Sequence, residues 1–321
     1  MVTNVLQKLF APADKASNHN SHFDFALRAI EVAMGFIFLM GGWRRFYNVP
    51  LKHDIESGKH LAGKLVQAAP GSPLEDIIHW VLYNPLMAEM SVYFMSMAEV
   101  IVGICLIIGL MTRLAGVGSA LLNVAMMLIF GWMGYECLDE YTMAALGFAI
   151  SISIIIYGSG GFSLDQKFGI DPFKSLVTRK LAISLMVISI VFTVGFYSYY
   201  FGIFNFKKLT HTKIFNVVAE KTEQKDVFTL YVNSGGSSGA AYVTSIIYTM
   251  ANGATLKQLP SEIKVLHSHF EPWSHGSGKV KDGVMKLILG SKVDISVPAS
   301  AVSAKIKIID NGKKVPEVSF K

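Results

Sequence analysis

The chain has 321 residues; 52% are hydrophobic, 16% are charged, the formal net charge is +6, and there are two cysteines. About a quarter of an ordinary soluble protein is charged, so the composition excludes a disordered chain, a collagen, a coiled coil and a disulfide-stapled miniprotein, and points to a membrane protein with a soluble appendage. The basic residues are scattered among apolar spans, which argues against nucleic-acid binding, and Cys105 and Cys137 belong to no CxxC, CxxCH or Cys-rich run, which excludes an attached c-type haem, a four-Cys iron–sulfur cluster and a Cys-rich zinc site.

In chain order, residues 1–24 are polar, and no short apolar stretch with a cleavage site precedes the first long span, so no cleavable signal peptide is expected. The first apolar span runs from Phe25 to Trp43 with Arg28 and Glu31 inside it. A polar stretch follows to Met87, carrying Pro50, Pro70, Pro73 and Pro85 and a short helix predicted around Leu74 to Leu82. The second span is Ser91 to Leu110, interrupted by Glu99; the third is Leu114 to Trp132, with Asn123 near its middle; the fourth is Tyr141 to Tyr157. After a GSGGF turn and a basic stretch, a fifth span runs from Leu181 to Phe201.

The connection between spans two and three carries Arg113 and no acid, and that between four and five carries Lys167, Lys174, Arg179 and Lys180. The connection between three and four, Tyr135-Glu136-Cys137-Leu138-Asp139-Glu140, has no Lys or Arg. The positive-inside rule then puts the N-terminus inside and everything after span five outside, as a multi-pass protein of the cell (inner) membrane. From about Asn205 the composition changes to short β-rich runs, VFTLYV, AAYVTSIIYTM, EIKVL, GVMKLIL, KVDISV and SAKIKII, separated by Gly, Ser, Asn and Asp. These predict an all-β sandwich outside the membrane.

Trp43-Arg44-Arg45-Phe46-Tyr47 ends the first span. Its bland reading is an interfacial anchor; its functional reading is an oxyanion site, since Arg offers a rigid fork of donors. Adjacent helical positions point about 100° apart, so one arginine can take an anion while the other serves an acidic partner. Cys137 stands at the outward tip between spans three and four among Glu136, Asp139 and Glu140, either as an inert thiol or, beside a cation, as a nucleophile. Cys105 lies within span two and is read as a packing residue. Glu99, and the pair Arg28 and Glu31 three apart on one face, are either structural pairs or a proton path. His267, His269 and His275 lack a fixed third ligand, and no metal site is assigned. Gly235 to Gly239 reads as a flexible hairpin, since no Walker lysine follows it.

The stretch Glu99-Val-Ile-Val-Gly103-Ile-Cys-Leu-Ile-Ile-Gly109-Leu-Met-Thr112-Arg113 resembles the second-helix pattern of DoxX-like membrane proteins, and the Gly-Gly-Trp-Arg-Arg-Phe ending of span one resembles DoxD of thiosulfate:quinone oxidoreductase. One further span followed by a β domain is similar to the DoxA partner. The resemblance implies a four-helix DoxX-like bundle plus a fifth transmembrane helix. It also implies four segments: 1–24 cytoplasmic, 25–175 DoxD-like, 176–204 the fifth helix, and 205–321 the extracytoplasmic DoxA-like domain.

The implied reaction oxidises two thiosulfates to tetrathionate and reduces a membrane quinone, with no flavin, haem or iron–sulfur motif found in the sequence. Thiosulfate then belongs at Arg44 and Arg45, and quinone near Trp43, Tyr47, Trp132, Tyr135 and Tyr141. His53 or Asp54 would protonate quinone, and Cys137 would carry a thiosulfate adduct, or both thiosulfates would be oxidised directly. The expected partners are thiosulfate, quinone and the lipid bilayer; self-association is compatible with the sequence. The rival class is a scaffold or small-anion permease with a β docking domain. Few ionisable positions in spans three to five disfavour it.

Overall fold

A computed structural model describes residues 21–47, 52–55, 57–130, 134–171, 173–201, 214–235, 239–312 and 315–320; the side chains of 21, 134–141, 196, 197 and 199–201 lie outside that description. The helices are α1 Ser21–Phe46, α2 Leu61–Ala68, α3 Glu75–Leu82, α4 Pro85–Ile108, α5 Thr112–Phe130, α6 Gly134–Tyr157, α7 Leu164–Phe168 and α8 Arg179–Phe201. Ten strands follow: β1 Asn216–Lys221, β2 Val227–Ser234, β3 Ala240–Met250, β4 Thr255–Gln258, β5 Val265–Ser268, β6 Val280–Lys281, β7 Val284–Ile288, β8 Lys292–Ser296, β9 Ala301–Ile308 and β10 Glu317–Ser319. The chain divides into two compact units, one of Met1–Pro50 with Ser91–Leu209 and one of Leu51–Met90 with Thr210–Lys321.

In the helical unit, α4 and α5 are long and apolar enough to cross a membrane. The helices expose Phe36, Phe94, Leu121 and Val191, where a water-facing helix would carry polar residues. Small residues bring α1 and α4 together. A Cβ at Gly42 would lie 2.5 Å from the Ser96 carbonyl oxygen, and one at Gly103 would lie 2.5 Å from the Leu39 nitrogen. Any larger residue there would push the backbones apart, which is how membrane helices commonly use glycine. Leu27, Met34, Val102, Leu106, Ala115 and Ile154 form one buried cluster, and Ala120, Met127, Ala144, Ala145, Phe148 and Ile152 another. The expected turn at Tyr135 to Glu140 is helical instead, since α6 begins at Gly134. Cys137 thus stands in the first turn of a helix.

The second unit holds two antiparallel sheets, ordered β1-β2-β8-β5 and β10-β9-β3-β7-β6, with β4 also paired to β3. Alternation sets the buried faces: Val293 and Ile295 on β8, Ala304 and Ile306 on β9. On β3 a register shift falls between Val243 and Ser245. It moves the buried set from Ala241 and Val243 to Ile246 and Tyr248, as one extra residue in a strand must. Phe320 touches Phe228 of one sheet and Tyr248 of the other, at centroid distances of 4.7 and 6.0 Å.

Sequence division assigns 51–90 to the helical domain; in the structure this segment packs with the strands. Helix α3 falls at its expected place, and α2 is a helix that the sequence pattern does not signal. Gly290, between β7 and β8, has φ +79°, and a Cβ there would lie 1.8 Å from the Val66 carbonyl oxygen, so the turn sits directly on α2. The Tyr231 hydroxyl donates to Glu75, and the His79 ring stacks on Phe270 at 5.3 Å.

Candidate functional site

At the end of α1 the two arginines have different surroundings. Arg45 is largely buried and forms a two-point ion pair with Glu99 of α4: Nη1 lies 2.9 Å from Oε2, and Nη2 donates to Oε1 at 3.0 Å. Nη1 also donates to the Ser96 hydroxyl at 3.3 Å. The bare Gly41 backbone makes room, since a Cβ there would lie 2.9 Å from Glu99 Oε2. A paired charge survives burial where a lone one would not. Arg44 is exposed and makes no hydrogen bond or ion pair among the described residues. Trp43 stacks on Tyr47 one turn later, with centroids 4.3 Å apart and planes inclined by 16°. One end of α1 therefore presents a free guanidinium beside a stacked aromatic pair.

The second predicted pair is a separate structure. Arg28 Nη1 lies 2.9 Å from Glu31 Oε2, and Glu31 Oε1 accepts from the Gly160 N–H at 2.8 Å. Glu31 and Arg45 are 14 positions apart on α1, or about 21 Å of helix rise, so the two pairs do not form one contact chain. Arg28 also donates to the carbonyls of Leu106, at 2.8 Å, and Ile107 at the C-terminus of α4.

The Gly109-to-Arg113 motif is a capping device. The Asp165 carboxylate accepts from the Met111 and Thr112 N–H groups and from the Thr112 hydroxyl, each at 2.8 Å. This satisfies the N-terminus of α5 with a negative charge, where the helix dipole favours one. Arg113 donates to the carbonyls of Ile155, Ile156 and Tyr157 at the end of α6 and pairs with Asp171 at 2.8 Å. Local sequence pattern does not reveal these contacts. The signal was present in a Thr-Arg pair opening one helix and an Asp in the basic stretch after another, but their partners lie more than 40 positions away.

Trp132 lies outside the described residues, as do the side chains of Tyr135, Cys137 and Tyr141. Residues 1–20 and 236–238 are outside as well. Among the described cysteines, Cys105 is free. His53 is buried and Asp54 exposed; both belong to the unit that contains the strands. His267 and His269 rings lie 4.8 Å apart, but His269 pairs with Asp294 at 3.0 Å. No cluster of three metal-binding side chains occurs among the described residues.

A membrane protein with an aromatic–arginine helix end is the class these features define. A family model described as TQO small subunit DoxD matches residues 25–193, which is more than half of the chain. The chain belongs to the DoxD family, whose description ties it to thiosulfate:quinone oxidoreductase. No solved structure matches it significantly.

Proposed function

We propose that this chain is a membrane-bound thiosulfate:quinone oxidoreductase, with five spans, its N-terminus inside and its β-rich region outside as a DoxA-like domain. Two thiosulfates give one tetrathionate and two electrons; one quinone takes those electrons and two protons to become a quinol. The observation that carries this reading, within a DoxD family member, is the division of labour between Arg44 and Arg45. Glu99 neutralises Arg45 and fixes the end of α1, which leaves Arg44 exposed and free to take a dianion. Thiosulfate is a multi-oxygen anion, matched by a guanidinium fork. Trp43 and Tyr47 offer a flat apolar face beside it for a quinone ring.

Thiosulfate would bind at Arg44, which offsets repulsion between the two dianions. In the covalent version, the Cys137 thiolate and one thiosulfate together lose two electrons to quinone and form a Cys–S–S–SO3 adduct. A second thiosulfate attacks the adduct, releases tetrathionate and restores the thiolate. In the direct version, both thiosulfates are oxidised beside the quinone without a protein adduct.

The test is purified full-length protein in lipid nanodiscs with thiosulfate and a short-chain quinone. Tetrathionate and quinol should appear in equal amounts. Absence of both under conditions where the protein is folded would reject the reading. A reporter fused after Lys321 should show extracytoplasmic activity; cytoplasmic activity would invert the site.

A further inference from the structure

A cleft in the unit formed by 51–90 and 210–321 has features of a second anion site. It has a volume of about 260 Å³ and is lined by Lys59, His60 and Lys64 from one segment and by Trp273, His275 and Lys286 from the other, with no Asp or Glu among its described lining residues. That volume lies below the roughly 300–1,000 Å³ usual for larger organic ligands. Three lysines around an acid-free cleft favour an anion.

Two buried donors sharpen the choice. His60 and Trp273 are 3% and 4% exposed, and their rings stack at 4.3 Å. His60 Nδ1 accepts from the Ala62 N–H at 3.1 Å as the cap of α2. In the neutral ring the proton therefore sits on Nε2. Neither that Nε2–H nor the Trp273 Nε1–H finds an acceptor among the described residues. Buried N–H groups are almost always hydrogen-bonded, and leaving one unmet is costly. Backbone also comes close without side chains in the way: Cβ atoms at Gly58 and Gly63 would lie 3.3 Å from the His275 ring and 3.2 Å from the Trp273 carbonyl oxygen.

We infer that this cleft binds a small tetrahedral oxoanion, whose charge Lys59, Lys64 and Lys286 balance and whose entry brings the His60 and Trp273 N–H groups, closed to solvent as they stand, within reach of its oxygens. The site is distinct from Arg44, and it stands whether or not the chain oxidises thiosulfate.

The experiment uses full-length Arg44→Ala protein in nanodiscs, so that any binding observed is not at Arg44. Equilibrium binding is measured separately with thiosulfate, sulfate and inorganic phosphate. One saturable site is expected for at least one of them. The Lys64→Gln/Lys286→Gln double variant should weaken it by at least about tenfold, and Trp273→Phe, which keeps the ring and removes the N–H, by about 2- to 10-fold. Lys64 is exposed and Lys286 half-buried, so the charge variants should fold. Tighter binding of thiosulfate would mean that its terminal sulfur is read; equal binding would mean that only the oxoanion is. Absence of saturable binding for all three anions, or binding unchanged in the charge variants, would overturn the site.

Discussion

Arg45 and Glu99 meet across the seam of α1 and α4, 54 positions apart in sequence, with both carboxylate oxygens engaged at 2.9 and 3.0 Å. Removing either partner strands a buried charge, which costs about 3–5 kcal/mol. Arg45→Ala and Glu99→Ala should each lower the thermal midpoint of the detergent-solubilised protein markedly. The double variant should recover part of the loss. Additive losses would show that the pair is not coupled.

Arg44→Ala tests the other arginine. Arg44 is exposed, so the variant should unfold at the wild-type temperature. Losing a charged hydrogen bond to a dianion should cost about 1.5–3 kcal/mol, or roughly 10- to 150-fold in thiosulfate-dependent quinone reduction. Arg44→Lys should recover only part, since an ammonium lacks the fork. Unchanged activity in a folded Arg44→Ala protein would make this residue an interfacial anchor.

Asp165 gives a purely structural prediction. Its carboxylate accepts three hydrogen bonds at the start of α5. Asp165→Ala should cost about 1–2 kcal/mol for the lost cap, plus the loss of a favourable charge at the helix N-terminus. Thermal unfolding is the readout. A midpoint unchanged from wild type would contradict the cap.

The pH dependence of stability should carry a His60 signature. Burial, with a smaller push from His53, lowers its pKa from 6.5 to about 4. Between those values the unfolded chain takes up a proton that the folded chain refuses. The stability tied to the neutral ring is therefore complete above about pH 6.5 and is lost as pH falls toward 4, at up to about 1.4 kcal/mol per pH unit. His60→Asn keeps an N-cap acceptor and cannot titrate, so its stability should fall less over this range. Burial lowers the pKa of His79 too, which leaves a residual slope of the same sign. Parallel wild-type and variant curves would refute the assignment.

Cys137→Ser separates the covalent route from the direct one. Serine is close in size but is a far poorer nucleophile and cannot form the adduct. The covalent route predicts lost turnover in a folded protein and, in trapped wild-type samples, added mass on the Cys137 peptide. Full activity in Cys137→Ser would leave direct oxidation beside Arg44.

Local pattern made much of the architecture legible. Long apolar runs became α1, α4, α5 and α8, and AAYVTSIIYTM became β3 with the same bounds, because hydrophobic length and alternation are properties of consecutive residues. Strands β1, β4, β6 and β10 had no such signal. They are short or polar, and pairing with stronger neighbours holds them in place. The stretch from Tyr135 to Glu140, expected to connect spans three and four, lies instead in the first two turns of α6.

The sequence by itself determined an apolar helical protein with a β-rich C-terminal region and an arginine pair ending its first helix. Tertiary structure alone decided that Glu99 takes Arg45 rather than Arg44, and that Asp165 caps α5. It also decided that 51–90 packs with the strands and brings His60 against Trp273. Each of these depends on which faces meet across 40 or more positions of chain. Adjacent arginines are chemically identical until one of them is turned toward a partner.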